Sequence, residues 1–328
     1  MRAAARGLLI LTLGQAGFAA AAAQGLDVKP FVDTHYYDPL KAEPHAARIK
    51  ILVPAWSKAF PDSLDNTSAR FAWQITLGRE LPLVAIASES LDAGRVGAGH
   101  FGFGVWLPVA FHMIEDFKDP SAPIVDTDYR FGMMTKFQYG LSDASQLGIR
   151  FVPWAHESTH LGDEYTIGAQ SRPTFERINV SYEYFEYGIS YETDRWTLRH
   201  GGLKPWGEDG YYSNHLLGGT EPRLTVSTKN FEMSFGAEVQ FDQWRGRRFY
   251  VSVDTRNKLQ YAYHATPTEP ETRQWSTNLQ IGRTLEEDSG DSPLQDYFVQ
   301  FYYGVNPYGQ LRSQRDYWSA GIGWVFGF

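Results

Sequence analysis

The chain has 328 residues, a formal net charge of −8 at pH 7, an aromatic content of 15% and no cysteine. The acidic balance, with no basic run, excludes a nucleic-acid partner, and the lack of cysteine excludes a small disulfide-linked extracellular module. Beyond the N-terminus, no segment has the ~18 consecutive apolar residues of a membrane-spanning helix.

Residues 1–23 predict a secretory signal peptide. Arg2 and Arg6 precede a short apolar run, and an alanine tract at 19–23 supplies an Ala-x-Ala exit, so cleavage is expected near Ala23. The apolar run is far shorter than the ~20 residues that a membrane anchor needs.

Residues 24–69 show no alternation of apolar and polar positions and are rich in proline. The prolines are Pro30, Pro39, Pro44, Pro54 and Pro61. We expect this segment to be an extension that either lies in the periplasm or folds into the lumen of a barrel formed by residues 70–328.

From residue 70 onward, apolar residues recur at every second position, which is the pattern of a strand with two different faces. In the run that begins at Phe101, the odd positions are large and apolar, whereas most even positions are small or polar. Such runs exceed the ~5–6 residues of an ordinary soluble strand and suit a tilted strand that crosses a bilayer. We therefore predict an all-β fold, a transmembrane antiparallel β-barrel of about 12 strands with an N-terminal non-barrel extension. The predicted strands are 70–79, 82–91, 98–114, 124–138, 145–160, 173–187, 189–203, 228–242, 248–264, 272–285, 295–306 and 315–328.

A barrel of this size has a narrow lumen filled by side chains, so charges on its inner face must pair. The predicted inner charges have both signs in similar number: Asp126, Asp128, Arg130, Lys136, Arg150, Arg177, Glu183, Arg195, Arg199, Glu232, Glu238, Asp254 and Arg256. A second group, of aromatic residues, is expected at the membrane interfaces: Tyr182, Tyr184, Trp196, Trp275, Tyr303 and Trp324.

The last strand carries large residues on one face, including Trp318, Trp324 and Phe326, and small residues on the other. A final strand that ends on Phe328 with aromatic residues upstream resembles the C-terminal signal of bacterial outer-membrane β-barrels. The resemblance implies a location in the outer membrane of a Gram-negative bacterium, contact with outer-membrane lipid, and recognition of this strand by the barrel assembly machinery.

The densest polar motif is WAHESTHLGDEY, at 154–165. It contains H-E-x-x-H, which on a helix would place His156 and His160 on one face to bind zinc while Glu157 activates water. On a strand the two histidines are ~13 Å apart. Alternation in the preceding residues favours a strand, so neither a metal nor another cofactor is expected.

The same motif resembles outer-membrane phospholipase A, a twelve-stranded barrel with a His-x-Ser pair near the outer end of one strand and an Asn on the next. The resemblance implies that Ser158 is a nucleophile, His156 its base and Asn179 the group that orients the ring. The family's Asn-Gly does not follow the pair, and the spacing to Asn179 is longer. Alternation also predicts that these side chains point into the lumen, whereas the family's site faces lipid.

A closer resemblance, extending over most of the mature chain, is to a family of bacterial proteins of unknown function. Its signature has the form H-x-S-S-H-x-G-D-E, which residues 156–164 resemble with Thr159 in place of the second serine, and the segment YYDPLKAEP at 36–44 is also similar. This resemblance implies a barrel and no known activity.

Two functions are therefore open. In the first, the barrel has a structural or limited channel role, and His156, Ser158 and Asn179 belong to an inward-facing polar cluster near the outer mouth. The other members of that cluster are His160, Asp163, Glu164, Arg177 and Glu183. In the alternative, Ser158, His156 and Asn179 hydrolyse lipid esters.

Overall fold

The computed structural model describes residues 25–32, 34, 36–57, 72–89, 96–116, 124–161, 181–205, 231–241, 248–260, 272–285, 294–309 and 316–326. These residues form a single sheet of 13 strands. Within the same ranges no helix is long and apolar enough to cross a membrane. The strands are β1 (Asp27–Pro30), β2 (Ile49–Ser57), β3 (Ala72–Ala87), β4 (Phe101–Asp116), β5 (Ile124–Ser142), β6 (Ser145–Leu161), β7 (Ser181–Thr193), β8 (Trp196–Pro205), β9 (Glu232–Phe241), β10 (Arg248–Gln260), β11 (Thr272–Thr284), β12 (Leu294–Gly304) and β13 (Tyr317–Phe326).

Strands β2 to β13 close into a twelve-stranded antiparallel barrel, because β13 pairs with β2 and β2 pairs with β3. The extra strand β1 pairs with residues 84–87 of β3. It lies on the same edge of β3 as β2, which pairs with residues 74–76, whereas β4 pairs with the opposite edge. The predicted all-β barrel of about 12 strands is confirmed.

The barrel has two different ends. At the end we call the terminal end, β2 begins and β13 finishes; the connections there are 88–100, 143–144, 194–195, 242–247 and 285–293. At the other end, the loop end, the connections are 58–71, 117–123, 162–180, 206–231, 261–271 and 305–316. The longer connections gather mainly at the loop end, an asymmetry typical of outer-membrane barrels.

The outer face of the wall is apolar and the inner face is polar. On β5, Phe131 and Met133 are exposed on the outside, whereas Lys136 and Gln138 are buried inside. The two sets separate because successive side chains of a strand point to opposite faces. An apolar outer surface around a polar interior is the arrangement of a barrel that sits in a bilayer.

The predicted strands 70–79 and 82–91 are a single strand in the structure. β3 continues through Pro82, where a register shift against β4 accommodates the proline. A proline inside a strand is compatible with such irregularities, so it did not mark a turn here.

The barrel also begins earlier than the predicted boundary at residue 70. β2 lies within the segment expected to be outside the wall, and it pairs with residues 319–326 of β13. A register shift between the partners of Pro54 and Trp56 interrupts the period of two, which hides the strand from a search for alternation. β2 was missed in the sequence and β3 was counted as two strands, so the predicted number of barrel strands is still 12.

Residues 36–48, which we call the lumen segment, pass through the interior of the barrel between β1 and β2. The Tyr37 ring lies between two guanidinium groups, 5.1 Å from that of Arg150 and 4.2 Å from that of Arg199. On the opposite wall, the Ala42 N–H donates to Ser252 Oγ at 3.0 Å, and Asn278 Nδ2 donates to the Ala42 carbonyl at 2.6 Å. The segment therefore spans the lumen from β6 and β8 to β10 and β11.

Glycines on the inner wall leave the space that the lumen segment fills. A Cβ atom at Gly188 would lie 2.0 Å from the Tyr37 hydroxyl oxygen, and one at Gly148 would lie 3.1 Å from the Tyr37 ring. Gly102 and Gly236 are equally close to Tyr36 and Leu40 of the segment. The wall is thus shaped around these side chains.

Glu43 of the lumen segment is the centre of the interior ion pairs. Its carboxylate lies 3.0 Å from Arg150, 3.5 Å from Arg256 and 3.7 Å from Arg199. Arg150 also binds Glu186 at 2.5 Å. Burial alone would raise the pKa of Glu43, but the three guanidinium charges and the hydrogen bond from Arg150 hold that pKa well below its ordinary value.

The prediction of a charged, paired interior is confirmed for most of its residues. Those on the inner face are Asp126, Asp128, Arg130, Lys136, Arg150, Arg199, Glu232, Glu238, Asp254 and Arg256. The prediction is wrong for Arg195, which lies in the exposed turn after β7, and for Glu183, which is exposed on the outer face of β7. Arg177 lies outside the described residues.

Among the predicted interfacial aromatics, Trp196, Trp275 and Tyr303 are exposed on the outer face. Tyr184 is instead fully buried on the inner face, where the Arg130 guanidinium lies 5.4 Å from its ring. The interior therefore uses aromatic rings as well as acids to surround its arginines.

The loop end of the lumen is covered by residues 305–309. The Gly309 N–H donates to both Asp128 carboxylate oxygens, at 3.0 and 3.1 Å, and Tyr308 packs with Tyr302 and Tyr317 in a buried cluster. Together with the lumen segment, these residues occupy the lumen toward the loop end, whereas a cavity of about 470 Å³ remains toward the terminal end.

Candidate functional site

The candidate site lies on β6, near the loop end. His156 and Ser158 are two residues apart on this strand, so their side chains share a face at a Cα spacing of ~6.7 Å. The prediction that the motif is a strand rather than a helix is confirmed by β6. Their partners on β5 are Phe131 for His156 and Tyr129 for Ser158.

The prediction that His156 and Ser158 point into the lumen is wrong. Val152 and Pro153 together oppose one residue of β5, so β6 has a β-bulge at that point. Before the bulge the even positions face inward, as Arg150 does; beyond it the odd positions are buried, and Glu157 and Thr159 are both 4% exposed. His156, Ser158 and His160 therefore lie on the outer face.

The neighbouring strand β7 is also oriented opposite to the prediction. Tyr184 and Glu186 face inward, whereas Glu183 is exposed on the outer face. In the β6–β7 register Glu183 is the direct partner of His156, and Ser181 is the partner of Ser158. Glu183 and His156 are thus cross-strand neighbours on the same outer surface, with the Cβ spacing of ~4.5–5.5 Å that direct partners have.

Aromatic rings border the His156–Ser158 pair on the side of β5 and, through Trp154, on the side of the terminal end. The Phe131 ring lies 5.4 Å from the His156 ring and 5.5 Å from that of Trp154, measured between centroids. Phe111 packs edge to face on Tyr129 at 5.5 Å. The site is therefore the polar margin of an aromatic outer surface.

The remaining candidate residues are placed only in part. His160 is exposed on the outer face, opposite Thr127 of β5. Asp163, Glu164, Arg177 and Asn179 lie outside the described residues. In the described part of the chain, no group of three or more metal-ligating side chains could hold an ion.

Sequence reasoning missed the cross-strand pairing of His156 with Glu183. Pairing register cannot be read from one strand alone, because it depends on which residues of another strand are aligned. One signal of the reversed orientation was present: Pro153 stands inside a predicted strand, and proline in a strand often marks a bulge.

A serine hydroxyl, an imidazole and a carboxylate on one surface have the composition of a nucleophilic hydrolytic site. The imidazole can remove the serine proton, and the carboxylate can hold the ring and stabilise its positive form. The site opens onto the outside of the barrel, so its reactant must come from that side.

The fold is similar to that of outer membrane phospholipase A from Escherichia coli, at 10% sequence identity and a TM-score of 0.52, over 86% of this chain and 93% of that chain. An active-site mutant of the same phospholipase is similar at 10% identity and a TM-score of 0.52, over 89% of this chain and 94% of that chain. The outer membrane protein OprD from Pseudomonas aeruginosa has 8% identity and a TM-score of 0.38, over 90% of this chain and 97% of that chain. At these identities the likeness concerns the fold. No curated protein sequence matches the chain.

The family model described as "Protein of unknown function (DUF1207)" matches residues 13–328. The match includes the lumen segment, every strand of the barrel and the His156–Ser158 motif, in agreement with the signature found in the sequence. The chain therefore belongs to the DUF1207 family, and its fold is that of an outer-membrane β-barrel.

Proposed function

We propose that this protein is an outer-membrane lipid hydrolase in which Ser158 is the nucleophile and His156 its general base. The observation that carries the proposal is the outward orientation of both side chains, which follows from the bulge at Val152 and Pro153. A bilayer lipid meets this face of the barrel directly and does not have to enter the lumen.

In the proposed reaction, Ser158 Oγ attacks the carbonyl carbon of an acyl ester while His156 takes the hydroxyl proton. The tetrahedral intermediate then expels the alcohol, which receives that proton from His156. Water, deprotonated in turn by His156, attacks the acyl-serine ester; the bond to Ser158 Oγ breaks, His156 returns the proton to that oxygen, and the fatty acid is released.

Glu183 is our first candidate for the group that orients the His156 ring. It is the direct partner of His156 across the β6–β7 register, and its carboxylate can accept the second ring N–H. Asn179 is the second candidate, on its resemblance to the asparagine of the phospholipase family.

The residues around the site favour a substrate in which an acyl chain is attached to the reacting ester. Phe131 and Trp154 form an aromatic surface that begins at His156 and runs toward the terminal end. An acyl chain lying on these rings would bring its ester carbonyl to the level of Ser158. The substrate class is therefore an acyl ester of a membrane lipid.

A channel role has less support. The lumen segment fills the space between β6 and β10, and residues 305–309 cover the loop end. A polar solute would have to displace buried ion pairs of Glu43 to cross the barrel.

We place the protein in the bacterial outer membrane, with the terminal end in the periplasm and the terminal strand read by the barrel assembly machinery. The support is the barrel fold and the aromatic face of β13, which ends two residues before Phe328. Phe328→Asp should slow insertion and lower the yield of heat-modifiable protein in the membrane fraction. Recovery of the wild-type protein in the soluble periplasmic fraction would contradict this placement.

The test of the hydrolase is fatty-acid release from phospholipid vesicles by the refolded full-length protein. Ser158→Ala and His156→Ala should each lower kcat/KM by about 10³-fold or more, because they remove the nucleophile and its base. Ser142→Ala, at the opposite end, and His160→Ala, on the same face, are the matched controls and should retain activity. Wild-type release no faster than that of Ser158→Ala would refute the proposal.

Glu183→Gln and Asn179→Ala then distinguish the two orienting candidates. Replacing the residue that orients the ring should lower kcat by about 10²-fold or more with little change in KM, since that residue acts on the ring and not on the lipid. Loss in neither variant would leave His156 without either proposed partner and would refute both assignments.

A further inference from the structure

The wall of the barrel has a gap on one edge of β3, toward the terminal end. On this edge β2 pairs only with residues 74–76 and β1 only with residues 84–87, and the Phe31 N–H donates to the Leu83 carbonyl. Among the described residues, no strand pairs with residues 77–82 on this edge. At ~3.3 Å per residue, the gap is ~20 Å long.

The cavity of about 470 Å³ reaches this gap. Charged residues of both signs line it from the lumen segment and from β3, β5, β7, β8, β9 and β12, and one of them is Arg79. Arg79 is on the outer face, between Leu77 and Leu81, which are 45% and 43% exposed at alternate positions of β3. Because the cavity touches both Arg79 and Glu80 of the inner face, it extends into the gap of the wall.

Two arginines at this opening have no carboxylate partner among the described residues. Arg79 makes no hydrogen bond or ion pair with any of them, and Arg48 donates to the Leu40 carbonyl at 2.5 Å. An arginine on a lipid-facing surface is unfavourable at the bilayer midplane and close to neutral near the interfaces. Arg79 therefore places the gap at the level of the lipid head groups, where a guanidinium group can bind phosphate through paired N–H donors.

A buried carboxylate of the same cavity has a free oxygen. Asp296 of β12 is 1% exposed; its Oδ2 accepts Lys41 Nζ at 2.7 Å, whereas its Oδ1 has no partner among the described residues. Asp296 pairs with Val325 of β13, which pairs with Lys50 of β2, so Asp296 lies two strands, or ~10 Å, from the beginning of β2 next to Arg48. The cavity thus offers donors for a phosphate and, within reach of them, an acceptor for an ammonium group.

We propose that this cavity binds a phospholipid head group that carries both a phosphate and a primary ammonium, as in phosphatidylethanolamine, and that the lipid enters through the gap. The phosphate accepts hydrogen bonds from Arg79 and Arg48, and the ammonium donates to Asp296 Oδ1. The hydrocarbon chains remain outside, on the surface of Leu77 and Leu81. The site is separate from Ser158, and it rests on the placement of the barrel in a membrane and not on the proposed hydrolysis.

The experiment measures lipid retention by the full-length barrel in non-ionic micelles, using native mass spectrometry. The probes are the dialkyl ether forms of phosphatidylethanolamine, phosphatidylcholine and phosphatidylglycerol, which have no acyl ester, so hydrolysis at Ser158 cannot affect the result. Choline has no N–H to donate and glycerol has no positive charge, so the ethanolamine lipid should bind about 10-fold or more tightly than the other two, the factor of one charge-assisted hydrogen bond. Equal retention of all three lipids would mean non-specific lipid and would overturn the proposal.

Variants of the lining residues test the assigned contacts. Arg79→Gln should weaken retention by about 10-fold or more, and Asp296→Asn should remove the preference over phosphatidylglycerol. Arg195→Gln, in the exposed turn after β7, is the matched control and should retain the lipid as the natural protein does. Arg79 is exposed on the outer face, so its replacement leaves the barrel folded, and unchanged retention in Arg79→Gln would overturn the proposal.

The free head group, glycerophosphoethanolamine, distinguishes a lipid ligand from a soluble one. It should compete weakly with the lipid, because it lacks the chains that contact Leu77 and Leu81. If it displaced the lipid at an equal concentration, the ligand would be a solute that enters from the terminal end, and the lipid proposal would be overturned.

Discussion

At the scale of single residues, Pro153 decides which surface the candidate site belongs to. Proline has no N–H to donate to the ladder, and it is tolerated in strands mainly at edges and bulges. One extra residue in a strand moves every following side chain to the opposite face. If the alternation of β6 continued without the bulge, Ser158 would face inward, as Arg130 does. With the bulge, Ser158 faces outward.

The orientation of Ser158 can be tested by cysteine labelling, because the natural chain contains no cysteine. In proteoliposomes, a dye attached at Ser158→Cys should be quenched by lipids with brominated acyl chains. Thr159→Cys is the matched neighbour, and its buried inner position should resist labelling. Deleting Pro153 should leave the two results unchanged, since it removes the extra residue of the bulge and keeps Trp154 and the residues after it in register with β5. Labelling of Thr159→Cys in preference to Ser158→Cys in the natural background would contradict the assigned faces.

At the scale of elements, alternation predicted the strands whose own alternation continues through their middle and failed where a bulge interrupts it within the strand. β4, β5, β9 and β10 were assigned the correct inner and outer faces from sequence. The face of β6 beyond Pro153 was assigned wrongly, and β2 was missed, because a bulge breaks the period of two in each.

The face of β7 was misassigned for another reason. Tyr184 looked like a lipid-facing aromatic, but it packs against Arg130 in the interior, and hydrophobicity alone does not separate these two environments. The candidate site shows the same division: the pair His156 and Ser158 was found in the sequence, whereas its neighbour Glu183 depends on a register set by distant parts of the chain.

The fit between the lumen segment and the inner wall gives a prediction at this scale. Gly188→Ala should displace Tyr37, because the added Cβ would lie 2.0 Å from the Tyr37 hydroxyl oxygen. We expect a loss of about 1–3 kcal/mol in the free energy of unfolding, the usual cost of overpacking, and faster proteolysis of the lumen segment. Both are measurable by urea titration and by limited digestion in micelles.

Tyr37→Phe in the Gly188→Ala background is the control, since removing the hydroxyl leaves the next contact at 2.9 Å. The double variant should recover part of the lost stability. If Gly188→Ala alone were as stable and as resistant to digestion as the natural protein, Tyr37 would not occupy this place.

At the scale of the whole molecule, the interior is held closed by charge. Glu43 carries one negative charge among three arginines, and the same arginines reach the wall acids, as in the Arg150–Glu186 pair. Removing one partner of a buried ion-pair network commonly costs about 3–5 kcal/mol, because the remaining charges lose their compensation. Glu43 therefore links the lumen segment to the barrel wall.

The pH dependence of this link has a definite sign. Because the pKa of Glu43 is held well below its ordinary value of 4.5, its contribution is fully present above that value and is lost as the pH falls below it. In planar bilayers the protein should be silent at pH 7 and should show openings as the pH is lowered below about 4.5. Glu43→Gln should open at pH 7 and lose the response to acid.

Asp143→Asn, at an exposed turn, is the matched control and should behave like the natural protein. Identical traces for the natural protein and Glu43→Gln at both pH values would show that Glu43 does not hold the lumen segment.

The position of β1 has a consequence for how such an opening would end. The lumen segment is fastened on both sides, by the four residue pairs of β1 with β3 and by β2 in the wall. A fastened segment keeps a high effective concentration at its own binding surface even after it has moved. Any opening should therefore be brief and self-terminating. Cutting the chain between Pro30 and Tyr36 would turn short bursts into long-lived open periods without changing a single contact inside the barrel.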